Sequence, residues 1–147
     1  MSIEDDVALL ARVPTMRLLG NGALRTLAIG SEQRDFARGE LLFAAGDDAD
    51  AGFIVQRGSF RIADDNGAET IVGPGALIGE LALVVAMPRP STATALEHSS
   101  VIRIARSLFQ RVLESDPAAA RKLRDEFANR TSQIASDILM AGAKLTI

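Results

Sequence analysis

Phe53-Ile54-Val55-Gln56-Arg57-Gly58-Ser59-Phe60-Arg61-Ile62-Ala63-Asp64-Asp65-Asn66-Gly67-Ala68-Glu69-Thr70-Ile71-Val72 carries three short apolar runs, Phe53 to Val55, Phe60 to Ile62 and Thr70 to Val72, parted by turn residues. Runs this short, rich in β-branched and aromatic residues, read as strands. Asp64-Asp65-Asn66-Gly67 marks a hairpin between the second and third runs, because Asn-Gly tolerates the positive φ angles of a tight turn. Outward from it the same punctuation continues from Gln33 to Ala105, with Leu41-Leu42-Phe43 before and Val101-Ile102-Arg103-Ile104 after. Short strands spaced by roughly 8–12 residues predict a roll or barrel.

Helical spacing flanks this region. From Val7 to Ile29 the apolar positions Leu9, Leu10, Val13, Met16, Leu18, Leu19, Leu24 and Leu27 recur at a mostly helical period, interrupted at Pro14 and at Gly20-Asn21-Gly22. Two or three short helices are expected there. From Ser107 the period returns: Ser107 with Gln110 is a candidate capping box, and Asp116-Pro117 restarts a helix that runs to about Met140. Leu123, Phe127, Ile134 and Ile138 form an apolar stripe on that helix, suited to packing on the roll or on another subunit.

The chain has 147 residues, 48% hydrophobic and 24% charged, a balance suited to one globular domain with its own core. No apolar run reaches the roughly 18 residues of a membrane span. The acidic start Ser2-Ile3-Glu4-Asp5-Asp6 is unlike a signal peptide, so a cytoplasmic location is expected. A net charge of −3 offers no long-range attraction to nucleic acid, and the lack of cysteine removes disulfides and thiolate metal sites. Asp47, Asp48 and Asp50 before Gly52 lack the register of a calcium loop. His98 is the single histidine, and glycines 73, 75 and 79 have the wrong spacing for a dinucleotide fingerprint.

One segment reads as chemistry. Gly79-Glu80-Leu81-Ala82-Leu83 is followed by Arg89, with Ser91, Thr92 and Thr94 behind it. Pro74, Gly75 and Gly79 bracket a turn from which Glu80 to Ala86 can start a short helix whose first N–H groups lack internal partners. Arg89 adds a planar fork of donors for two phosphate oxygens, and Glu80 is placed to accept from a hydroxyl. Anion and hydroxyl together describe a sugar phosphate.

The run from Gly73 to Ala95 resembles the phosphate-binding cassette of cyclic-nucleotide-binding domains, the family of the catabolite activator, protein kinase A regulatory subunits and cyclic-nucleotide-gated channels. Gly39, Gly46, Gly58 and Gly67 fall where that family's β-roll turns, and Phe109 and Pro117 fit its C-terminal helices. The resemblance implies a mainly β fold, an antiparallel β-roll (jelly roll) over residues 31–106, with N-terminal helices over 3–30 and C-terminal helices over 107–142 of a single domain 1–147. It further implies that Glu80 accepts from the ribose 2′-hydroxyl, that Arg89 pairs with the cyclic phosphate, and that Gly79, Leu81 and Ala82 give backbone contacts. Ile62 and Ile71 match the wall that touches the base, and Arg130 and Ile134 match a lid over the purine. Pro90 departs from the family, where the residue after the arginine usually donates an N–H to the phosphate. The missing bond costs roughly 1.5–3 kcal/mol unless Ser91 or Thr92 compensates.

The expected role is that of a stand-alone sensor which binds cyclic AMP, with cyclic GMP as the alternative, and signals by movement of the C-terminal helix. Family cyclic GMP preference is linked to a threonine after the arginine, so Pro90 leans toward cyclic AMP. No cofactor or metal is implied, and no nucleophile paired with a base suggests an enzyme. The expected partners are the nucleotide and an effector protein or a second copy of the chain in a homodimer, with no nucleic acid and no membrane. The rival readings are a degenerate roll that serves as an interaction module and a DNA-binding regulator.

Overall fold

The structure, a computed structural model, describes residues 2–126. Helix α1 (Ile3–Ala11) opens with Ser2 and Asp5 in a reciprocal capping box. Pro14 falls in the break that follows, and a 3-10 turn (Met16–Leu18) leads to α2 (Asn21–Gly30). Asn21 and Gly22 lie inside α2 rather than ahead of it, with Gly20 as the cap.

Ten strands follow among the described residues: β1 (Glu32–Phe36), β2 (Leu41–Phe43), β3 (Asp48–Ala49), β4 (Ala51–Arg57), β5 (Phe60–Ala63), β6 (Glu69–Val72), β7 (Leu77–Ile78), β8 (Met87–Pro88), β9 (Thr92–Ala95) and β10 (Ser99–Ala105). All pairings are antiparallel. One sheet runs β1-β10-β4-β7, its counterpart runs β2-β9-β5-β6, and β3 pairs with β8 as a small ribbon. This is the expected mainly β roll with flanking helices.

Strands β4 and β10 explain why their sequences read as unbroken apolar runs: both faces are covered. Ala51, Phe53, Val55 and Val101 join Phe43, Phe60, Ile78, Ala93 and Ala95 inside the roll. Ile54, Ile102 and Ile104 face outward into a second core with Leu10, Met16, Leu24, Leu27, Phe109, Val112 and Leu123 from the helical segments. The register skips Gln56, since Ser100 pairs with Arg57 and Val101 with Val55. Such a bulge re-aims a side chain. Here Gln56 reaches α1, where its Nε2 donates to Asp6 Oδ1 at 3.3 Å.

Two local expectations are refined. Asn66-Gly67 does make the β5–β6 turn, yet only Gly67 has positive φ (85°). Asp64 organises the loop instead, its Oδ1 accepting from the N–H groups of Asn66 and Ala68 at 2.9 and 3.0 Å. Helix α3 (Arg106–Ser115) begins one residue before Ser107, with Ala105 as an N-cap that makes no side-chain bond, so the Ser107–Gln110 capping box does not form. Strand β10 runs to Ala105 and leaves no room for a polar cap. Asp116 behaves as expected: its Oδ1 accepts from Ala119 N at 3.1 Å and starts helical backbone over 117–126. The expected extension to Met140, and Phe127, Ile134 and Ile138 of the stripe, lie outside the described residues.

Candidate functional site

Gly79 adopts the left-handed conformation (φ 76°) and caps a 3-10 turn, Glu80–Leu83. The coil is a single tight turn and not the longer helix expected to reach Ala86, so it carries little helix dipole. Ala82 and Leu83 are buried, while Leu81 is 49% exposed. Arg106, the first residue of α3, holds the turn's carbonyl end: its Nη1 donates to Ala82 O at 3.2 Å, Val85 O at 3.1 Å and Ala49 O at 2.8 Å.

Arg89 is the unusual residue. It follows β8 and is only 5% exposed. Its guanidinium carbon lies 4.3 Å from the ring centre of Phe43 and 5.4 Å from that of Phe53, and Nη2 donates to Ala51 O at 2.8 Å. Among the described residues it has no carboxylate in ion-pair contact, and Nε is buried without a partner. Burial lowers its pKa from the ordinary arginine value, although the guanidinium stays charged. Desolvated cation–π contacts supply about 2 kcal/mol each and the charge-assisted bond about 1.5–3 kcal/mol, against several kcal/mol for burying the ion. An orphaned donor is left over. An oxyanion at Nε would satisfy it, while Nη1 itself fills the space over Gly79, where a Cβ would lie 2.5 Å from it.

Glu80 has a side-chain partner from another segment. Its Oε2 accepts from Thr15 Oγ1 at 2.6 Å, and Thr15, in the break after α1, is buried. A cavity of about 400 Å³ beside this bond is lined by Glu80, Thr15, Gly75 and Leu77, among others. The two groups that the resemblance pairs on one ligand therefore have separate partners here.

Thr92 Oγ1 accepts from Ala45 N at 2.9 Å and so braces the loop below Arg89, and Ser91 is half-buried. Ile62 and Ile71 do not share a wall. Ile62 pairs with Ala93 in the roll interior, whereas Ile71 pairs with the outward Arg61 and is 64% exposed. Strand alternation sends neighbouring positions of β6 to opposite faces, so Ile71 is corrected to the outer surface. Arg130 and Ile134 lie outside the described residues. Phe43, Phe53, Thr15 and Arg106 were not singled out by sequence. The phenylalanines read as core, which they also are, and nothing local marks Thr15 or Arg106.

A family model, the cyclic nucleotide-binding domain, matches residues 33–116. The chain belongs to the cyclic nucleotide-binding domain family. A cyclic nucleotide-gated potassium channel of Mesorhizobium japonicum is 31% identical over 87% of this chain and 36% of its own length. The regulatory subunit of a cAMP-dependent protein kinase of Eremothecium gossypii is 34% identical over 70% of this chain and 23% of its own length. The chain thus spans less than half the length of these curated relatives. Among solved structures, a cyclic nucleotide-binding-like protein of Brucella abortus is 36% identical with a TM-score of 0.66, over 75% of this chain and 98% of its own. The N-terminal domain of a transcriptional regulator of Streptomyces coelicolor superposes with a TM-score of 0.77 at 29% identity, covering 88% of this chain and 94% of that one. No helix among the described residues is long and apolar enough to cross a membrane.

Proposed function

We propose that this cyclic nucleotide-binding domain is a sensor whose ligand phosphate is received by Arg89. The observation that carries the reading is the buried guanidinium with an unpartnered Nε, packed so closely on Gly79 that no Cβ could stand there. Backbone of Gly79, Leu81 and Ala82 and the hydroxyls of Ser91 and Thr92 complete the phosphate end. Ile62 offers the base an apolar contact. Glu80 takes the ribose hydroxyl by exchanging it for Thr15, so the cassette must shift as it binds.

That shift has a route to the helices. Leu83 is fully buried with Phe109, Val112 and Leu123, and Arg106 ties Ala82 and Val85 to the start of α3. Ligand favours whichever arrangement of these helices suits the shifted cassette, and an effector protein or a second copy reads the change. Cyclic AMP is the preferred candidate because Pro90 stands where a threonine would favour cyclic GMP.

The test is titration calorimetry with cyclic AMP and cyclic GMP, joined to thermal melts of wild type and Arg89→Ala. Ligand that binds only the native state raises Tm by mass action, about 2.7 kcal/mol at a hundredfold excess over Kd. Wild type should gain and Arg89→Ala should lose most of the gain. No heat at millimolar nucleotide would favour a roll that serves only as an interaction module.

A further inference from the structure

A second guanidinium stands beside Arg89. Arg103 on β10 pairs directly with Phe53 on β4, so it shares the sheet face that carries the Phe53 ring, over which Arg89 lies at 5.4 Å. Arg103 Nη2 bonds Asp50 Oδ2 at 3.1 Å, its own side chain being 19% exposed and that of Asp50 68%. Asp50 immediately precedes Ala51, the residue whose carbonyl accepts from Arg89. Arg103 is therefore paired with the carboxylate one residue before the carbonyl that Arg89 bonds.

The fields at Arg89 agree with this layout. After burial, which dominates, Asp50 supports its charged form, Arg103 opposes it and Asp47 supports it weakly. Asp47 is already engaged, its Oδ2 accepting from Ala44 N at 3.0 Å. Asp50 is thus the acid whose allegiance matters. A flexible, solvated carboxylate beside a buried unpaired cation would turn to it if nothing else held it.

We infer that Arg103 is a positioning residue for anion recognition: by holding Asp50 it keeps Arg89 unpaired for a ligand phosphate. The inference rests on the reading of Arg89 as the phosphate partner. Arg103 need not touch the ligand. Its removal lets Asp50 neutralise Arg89 from within, and a phosphate must then displace that carboxylate.

Calorimetry with cyclic AMP would compare wild type, Asp50→Asn, Arg103→Gln and the double variant. Arg103→Gln should weaken binding by about tenfold, a difference of about 1.4 kcal/mol, and adding Asp50→Asn should restore it to within about threefold of wild type. An unchanged affinity in Arg103→Gln overturns the inference. So does a loss that Asp50→Asn leaves in place, since a direct ligand contact or a distorted β10 would not be repaired there. Melts without nucleotide give an independent readout. The coupling between Arg89→Ala and Asp50→Asn should be small with Arg103 present and should grow in the Arg103→Gln background. Coupling of equal size in both backgrounds refutes it, even if wild type binds no nucleotide, an outcome that would count against the phosphate reading alone.

Discussion

Asp6 shows how one carboxyl group records the contact between α1 and the roll. Its pKa is raised above the ordinary 3.8, chiefly because packing strips water from it, and the bond from Gln56 only partly offsets that. A raised carboxyl pKa means that the native state holds the proton more tightly than the unfolded chain. The contribution is fully present below 3.8 and is lost as pH rises through the native value. Asp6→Asn keeps an oxygen for Gln56 but cannot titrate. Urea midpoints measured from about pH 3.5 upward should show wild type losing stability relative to Asp6→Asn as pH rises, with the difference level by neutral pH. Parallel curves across the whole range would show that the α1 contact leaves this proton indifferent. Arg89 follows the same logic with the opposite sign, but its charge does not change in any accessible range. Its burial is read instead through ligand binding.

At the scale of elements, strands with two buried faces were the most legible: Phe53 to Val55 and Val101 to Ile104 announce themselves because both neighbours demand apolar side chains. The two-residue strands β3, β7 and β8 carry no such signal, since their pairing follows from where the chain is brought back and not from their own composition. The cassette was legible as glycine, carboxylate and arginine in order, but not as a single 3-10 turn. Nor could local pattern reveal that its carbonyl end is held by a side chain of α3. Arg106 does so for three carbonyls at once, joining β3, the cassette and α3. Bonds to a charged donor contribute about 1.5–3 kcal/mol, and freed carbonyls near the surface recover some of this from water. Arg106→Ala should therefore cost about 1–3 kcal/mol in denaturant melts and weaken cyclic AMP binding, as the cassette loses its anchor. A variant as stable as wild type with unaltered affinity would mean that the cassette is positioned by Gly79 and Leu83 alone.

Across the whole molecule, two cores share the β4–β10 sheet, and the cassette touches both. Arg89 lies among the aromatics of the roll interior, while Leu83, a few residues earlier, is sealed in the helical core with Phe109, Val112 and Leu123. The Thr15–Glu80 bond adds the segment after α1 to the same junction, a tertiary juxtaposition that no sequence period could disclose. Movement of the cassette cannot then leave the helices undisturbed, because a close-packed core accommodates a displaced side chain by shifting its neighbours. Leu83 is the apolar member of that linkage. Leu83→Ala should destabilise the chain by about 2–5 kcal/mol, the range for emptying a buried leucine site. The informative measurement is hydrogen exchange with and without cyclic AMP. In wild type, nucleotide should change amide protection in α3 as well as around Gly79 and Arg89. In Leu83→Ala, provided the variant remains folded at the working temperature, protection near Arg89 should still respond while the response of α3 shrinks. An α3 response that survives in full would place the coupling in the polar links through Arg106 and Thr15, since those contacts reach the helices without passing through the leucine.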